Sequence, residues 1–269
     1  MKRMFVNGRA AAMIDALDRG LQYGDGLFET IAVTDGRPRF LDWHFERLAD
    51  GARRLGFPPP DLDELRTEIL EAIAEPKAVV KLILTRGNGP RGYRPPPDAK
   101  PTRIVAAFDW PVFSESAASN GVCVGWCRTR LGRNTSLAGL KHLNRLEQVL
   151  ARAEWEDGAM DEGLMQDDRG RVIAATQANL FVRLAGQWVT PVLDECGVAG
   201  VMRRAFRHWA AERGDAIAER PIAAAELEDA TCLILTNALI GAWPVRELAG
   251  RTLAVDPIAE EFNGWLDRA

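Results

Sequence analysis

Lysine is the scarce base of this sequence: five stand against 29 arginines, and none lies beyond position 141. Cysteine is scarce as well. Cys123, Cys127, Cys196 and Cys232 lack paired C-x-x-C spacing, and His44, His142 and His208 are scattered, so no zinc or other metal site is expected and the thiols are read as reduced. No stretch approaches the roughly 18 apolar residues of a membrane span, and the N-terminus has no long apolar core of a secretion signal. An excess of positive charge is also missing. The net charge of −4 argues against a nucleic-acid surface. A cytoplasmic enzyme or binding protein is the expectation these absences leave.

What is present is an ordinary globular composition, 47% hydrophobic and 27% charged over 269 residues, enough for one large domain or two modest ones. Strand-like runs are "MFVNG", "FETIAV", "AVVKLILTR", "RIVAAFDW", "GVCVGWC", "ANLFVRL", "QWVTPV" and "TCLILTN". Helical patterns fall at "LDWHFERLADGARRLG", "LDELRTEILEAIA", "NRLEQVLARAEWEDG" and "AGVMRRAFRHWAAERG". The strands cluster instead of alternating with helices, so an α+β fold is expected. The small, polar stretch "VFSESAASNG" reads as a bridge. It divides the chain into an N-terminal domain at 1–114, a linker at 115–121 and a C-terminal domain at 122–269. No internal repeat is visible.

Residues 87–92, "GNGPRG", match half of a dinucleotide fingerprint, but Pro95 to Pro97 forbid the helix that would hold a pyrophosphate. The segment is a glycine-rich loop carrying Arg86, Arg91 and Tyr93, either a plain surface turn or a contact for an anionic substrate. Lys141 sits among Leu137, Leu140, Leu143 and Leu146. An apolar neighbourhood disfavours the ammonium form, which is how a lysine becomes a Schiff-base nucleophile. The bland alternative is a lysine snorkelling past leucines on a half-exposed helix. Phosphate-cradle candidates are "CGVAGVMRR", with Gly197 and Gly200 before a helical run, and "LTNALIG", with Thr236 and Asn237 at a strand end. Both look much like ordinary caps and turns. In "HFERL", His44 and Arg47 lie one helical turn apart, where the arginine could add a bidentate phosphate contact or simply face solvent. Tyr23, Asp25 and Glu29 of "YGDGLFET" read equally as a turn leading into a strand or as site residues.

The segment "LGRNTSLAGLKHLNRLEQVLA" resembles the lysine-bearing segment of the aminodeoxychorismate lyases, fold-type IV pyridoxal-phosphate enzymes related to the branched-chain and D-amino-acid aminotransferases. "RGLQYGDGLFET", "HFERL", "TRGNGPRGYRPPP", "ANLFVRL", "TPVLDECGVAGVMRR" and "LTNALIGAWPV" follow the family order, so the resemblance spans nearly the whole chain. It implies two α/β domains with pyridoxal 5'-phosphate in the cleft between them, in a homodimer. It implies that Lys141 holds the cofactor and moves protons, and that Arg47, Asn179, Gly197, Val198, Ala199, Gly200, Val201, Thr236, Asn237 and Ala238 bind it. Arg91, Tyr93 and Arg94 are the substrate-contact candidates.

One position departs from the family. Five residues before Asn179, where the family usually places a glutamate on the pyridine nitrogen, this chain has Ala174. Without that carboxylate the cofactor is a weaker electron sink, which counts against transamination more than against an elimination that ends in an aromatic ring. The implied reaction converts 4-amino-4-deoxychorismate to 4-aminobenzoate and pyruvate. The alternatives are aminotransfer on branched-chain or D-amino acids, and a fold that has lost its chemistry.

Overall fold

The computed structural model describes residues 3–114 and 116–268. The chain forms two compact units, Met1–Val112 with Leu140–Asn144, and Phe113–Gly139 with Arg145–Ala269. The sequence division at 115–121 leaves residues 140–144 with the C-terminal domain, whereas the fold gathers them into the first unit. Residue 115 of the expected linker lies outside the described residues, and Ala117–Asn120 forms a short helical turn, α4.

In the first unit, β1 (Arg3–Val6), β2 (Arg9–Ala10), β3 (Gly26–Thr34), β4 (Arg37–Pro38), β5 (Ala78–Thr85) and β6 (Thr102–Phe108) make an antiparallel sheet ordered β2-β1-β6-β5-β3-β4. β-Branched and aliphatic residues fill the central strands, as a half-buried pleated surface demands. Ile31, Leu82 and Leu84 are fully buried, with Leu48 of α2 (Leu41–Arg54) and Leu65 and Ile69 of α3 (Leu62–Ala72). Asp61 starts α3 by accepting from the N–H groups of Asp63 and Glu64. A short helix, α1 (Arg19–Tyr23), precedes β3.

The second unit holds a nine-stranded sheet. Its strands are β7 (Val122–Trp126), β8 (Glu162–Gln166), β9 (Val172–Ala175), β10 (Asn179–Leu184), β11 (Gln187–Pro191), β12 (Ala218–Arg220), β13 (Cys232–Asn237), β14 (Gly241–Leu248) and β15 (Arg251–Thr252). The order is β12-β11-β10-β13-β14-β7-β8-β9, with β15 beside β14. Directions are mixed: β14, β7 and β8 run parallel to one another, while β13 is antiparallel to β14. Helix α5 (Leu146–Arg152) is shorter than the helical pattern expected over 144–158. Helices α6 (Val201–Glu212) and α7 (Ile258–Leu266) carry Phe206, Trp209 and Phe262, which pack edge-on and tilted against one another and Phe181 with centroids 4.6–5.7 Å apart. Among the described residues, no helix is long and apolar enough to cross a membrane.

Candidate functional site

Lys141 is not on a helix. It lies in an extended segment that runs antiparallel along the start of β3: Phe28 N–H donates to the Lys141 carbonyl at 2.9 Å, and Leu143 N–H donates to the Gly26 carbonyl at 3.0 Å. The snorkelling-helix alternative therefore falls, because the Lys141 backbone bonds to a strand. The glycines of "YGDGLFET" explain how the two segments come so close. A Cβ on Gly26 would lie 2.6 Å from Leu143 Cδ1, and one on Gly24 would lie 2.3 Å from Asn144 Oδ1. The half-buried Lys141 Nζ stands over the Phe28 ring, 4.2 Å from its centroid.

Beside Phe28, the next residue of β3 points into a buried charge network. Glu29 is fully buried and accepts from His44 Nδ1 at 2.6 Å and from Arg47 Nε at 2.8 Å, with a further contact from Arg47 Nη2. Burial pushes the Glu29 carboxyl up, but Arg47 and His44 outweigh it and hold it down at about 2. Burial is also the main influence on His44, and pushes it below its usual range despite Glu29; the imidazole is neutral and donates its Nδ1–H. The Arg47 guanidinium is thus aimed by Glu29. Glu29 is the residue that turn-and-strand reasoning left undecided; its signal was a lone acid in a strand otherwise rich in apolar residues.

The loop residues divide sharply. Arg86, a sequence candidate for meeting an anion, is buried and committed: its Nε donates to Asp25 Oδ2 at 2.7 Å and its two terminal nitrogens donate to the Gly56 and Leu55 carbonyls. Asp25 also accepts from Arg19 Nε at 2.9 Å, and Arg19 in turn donates to the Gly92 and Tyr93 carbonyls, pinning the loop. Arg91, Tyr93 and Arg94 are exposed on it. "GNGPRG" opens no helix; Gly87 has a positive φ of 84° and a Cβ there would strike the Lys100 carbonyl oxygen.

In the second unit, the turn from Gly197 to Gly200 leads into α6. Gly197 has φ 87°, and the loop is braced by Gly139 N–H on the Gly197 carbonyl, Ala199 N–H on the Gly139 carbonyl and Asn179 Nδ2 on the Val198 carbonyl. Asn179 is therefore a brace for the loop. Gly200, at the N-cap of α6, offers no capping side chain to the first-turn amides that follow. Arg203 ties that turn to the sheet through the Pro191 carbonyl at 3.0 Å and Glu219 at 2.8 Å. At the end of β13, the Asn237 carboxamide oxygen closes the turn by accepting from Leu239 and Ile240, and its amide donates to the Gln177 carbonyl. Thr236 Oγ1 is buried with no hydrogen-bond partner among the described residues. A buried hydroxyl left unpaired costs free energy, so its place at this strand end is informative. Neutral donors of this kind, with a helix N-terminus, suit a phosphate group.

Ala174 lies on β9 opposite Met165, buried beside Cys127, Leu131, Ile173 and Cys196. Sequence reading overlooked Glu162, a buried carboxylate nearby on β8. Its oxygens accept from the N–H groups of Gly163, Thr176 and Gln177 and from the Thr176 hydroxyl, and burial pushes its carboxyl up in spite of those bonds. It closes the turn between β9 and β10.

Comparison with known proteins gives this geometry a context. The amino-transferase class IV family pattern matches residues 26–248. The chain is 33% identical to the aminodeoxychorismate lyase of Vibrio harveyi, over 94% of this chain and 93% of that one. The crystal structure of 4-amino-4-deoxychorismate lyase from Pseudomonas aeruginosa superposes with a TM-score of 0.94 at 46% identity, covering 98% of each chain. The D-alanine aminotransferase of Bacillus licheniformis is more distant, at 26% identity over 94% of this chain and 90% of that one. The α+β elements and the ordered motifs agree with these matches: the chain belongs to the amino-transferase class IV family.

Proposed function

We propose that this chain is a pyridoxal 5'-phosphate lyase that converts 4-amino-4-deoxychorismate to 4-aminobenzoate and pyruvate. The observation that carries the reading is Lys141: a lysine in a chain poor in lysine, held by backbone bonds to β3 with its amine over Phe28, next to the network of Glu29, His44 and Arg47. Lys141 is the covalent anchor. Arg47, the turn from Gly197 through Val198, Ala199 and Gly200 to Val201, and Thr236, Asn237 and Ala238 hold the phosphate, with Asn179 supporting that turn. The unpaired Thr236 hydroxyl is the feature of the free chain that fits this role. When bound, the cofactor supplies an electron sink for the charge left by proton loss beside the substrate amine.

The chain's own residues do the rest. The Lys141 amine removes the proton from C4 of the substrate as general base. Enolpyruvate departs from C3 as the ring becomes aromatic, and Lys141 returns a proton to the departing group. Glu29 keeps Arg47 in place, and neutral His44 adds no positive charge beside the Lys141 amine. Arg91, Tyr93 and Arg94 on the exposed loop are the groups offered to the two substrate carboxylates. Aminotransfer is the second reading, favoured by the aminotransferase relative; Ala174, which gives the pyridine nitrogen no carboxylate, weighs against it.

A homodimer belongs to the same proposal. Leu146, Val149 and Leu150 form an apolar stripe on α5 that is 60–75% exposed, a surface suited to burial against a second copy. So does a cytoplasmic location, supported by four free cysteines.

The test is an absorbance spectrum of the purified protein before and after adding 4-amino-4-deoxychorismate. A cofactor band that vanishes in Lys141→Ala, with loss of 4-aminobenzoate formation well beyond the ~10²-fold expected for a helper acid or base, supports the reading. A colourless protein that pyridoxal phosphate does not reconstitute, or a Lys141→Ala variant with near-normal turnover, overturns it.

A further inference from the structure

The sheet of the second unit has a second built recess. β14, β7 and β8 are parallel neighbours, and a groove of about 610 Å³ opens where all three end, at Leu248, at Trp126 and at Gln166. Outside the carboxyl ends of parallel strands is where α/β sheets characteristically take ligands. The opposite wall is a 3₁₀ turn, Ala224–Asp229, which turns Leu227 inward. The groove is remote from Thr236 and Asn237. Those residues pair with Ala242 and Gly241 at the start of β14, and the strand then runs to Leu248 at about 3.3 Å per residue, roughly 23 Å away.

Two side chains in the groove lack partners. Gln166 is only 8% exposed, and its carboxamide makes no hydrogen bond among the described residues although it lines the recess. The carboxamide is reached by solvent from the recess, so it is open to donate to and accept from an occupant. Arg130, exposed at the rim, has no ion-pair or hydrogen-bond partner among the described residues. The other charges facing the groove are Arg128, whose Nε is 3.6 Å from Glu154, Arg251, which donates to the Leu227 and Ala230 carbonyls, and a single acid, Glu228. Positive charge therefore prevails at the mouth, while Trp126, Leu227 and Leu248 make the walls apolar. Cys127 adds no charge, because burial pushes its thiol up to about 12.

We propose that this groove is a binding site for a small amphipathic carboxylate. The carboxylate pairs with Arg130, the apolar or aromatic body lies against Trp126 and Leu248, and a hydrogen-bonding group at the far end meets Gln166. The assignment does not depend on the reaction proposed above.

The experiment is a titration of the full chain, ¹⁵N-labelled at its tryptophan indoles, with 4-hydroxybenzoate and benzoate. The Trp126 signal is assigned with Trp126→Phe. Saturable movement of that signal, stronger binding of the hydroxylated acid, and a loss of about tenfold or more in Arg130→Ala are expected, since a hydrogen-bonded charge is removed. Gln166→Leu should erase the preference for 4-hydroxybenzoate over benzoate. A stationary Trp126 signal, or Arg130→Ala binding as tightly as the parent, overturns the proposal, as does inorganic phosphate saturating the groove as well as benzoate. Arg130 is on the surface, so its variant carries no risk to folding. The readout is binding rather than turnover, and a failure here leaves the lyase reading untouched.

Discussion

The surroundings of Lys141 and the loop before α6 are built on opposite plans. Around β3, Glu29 and Asp25 are matched by cations inside the protein: Glu29 takes Arg47 with neutral His44 beside it, and Asp25 takes both Arg19 and Arg86. At the end of β13 and the start of α6, the chemistry is neutral and partly unpaired: helix amides without a capping side chain at Gly200, and the buried Thr236 hydroxyl. The contrast follows from what burial costs. A lone buried ion is prohibitive and has to be compensated inside the protein, whereas a lone hydroxyl or amide is affordable until a ligand arrives.

That contrast can be broken from either side. Glu29→Gln keeps the shape of the side chain but strands the Arg47 charge, and chemical denaturation should show a loss of about 3–5 kcal/mol. The pH dependence should change with it. In the parent protein both His44 and Glu29 have folded values below their unfolded ones, so the unfolded chain binds more protons and acid destabilises the fold. The His44 contribution begins as pH falls through 6.5; that of Glu29 begins near 4.5 and is lost as pH falls toward about 2. Glu29→Gln should flatten the lower window in a pH series of melting temperatures.

Gly197→Ala tests the loop before α6. It forces a φ of 87° on an alanine and brings Cβ to 2.8 Å from both Ile173 Cγ2 and Leu193 Cδ2, so a destabilisation of about 1–3 kcal/mol is expected by calorimetry. Thr236→Val sharpens the comparison most finely. Because the hydroxyl has no partner in the free chain, its loss should leave stability unchanged or raise it by about 1 kcal/mol, while pyridoxal phosphate binds roughly tenfold more weakly. A fall in both quantities would mean that Thr236 is bonded within the protein.

Much of this was legible in the sequence. The β-branched runs mark β3, β5, β6, β10 and β13, and the 3.6-residue pattern marks α2, α3 and α6. β8, β9 and β14 escaped, since "EGLMQ" and "VIAA" are short and buried on every residue, with no alternation to read, and β14 is interrupted by Pro244. Helix α7 escaped too, as its "IAEEFNGWL" carries a mid-helix glycine. At the site, Lys141 and the glycine turn were visible because lysine was rare and the glycines preceded a helix. The partnership of Glu29 with His44 and Arg47 joins residues 15 and 18 apart in sequence, and the crossing of the Lys141 segment over Gly24 and Gly26 joins residues more than a hundred apart. Such long-range meetings leave no local pattern. Arg86 looked available only because nothing near it in sequence reveals the Leu55 and Gly56 carbonyls it serves.

The mixed strand direction of the second sheet carries a consequence for how such a protein can change. A sheet with all strands alike offers one productive rim. Here β13 ends at one rim and β14, β7 and β8 end at the other, so substitutions at Gln166 or Arg130 and substitutions at Thr236 or Asn237 share no loop. Selection can therefore reshape either rim while the scaffold and the opposite rim stay as they are.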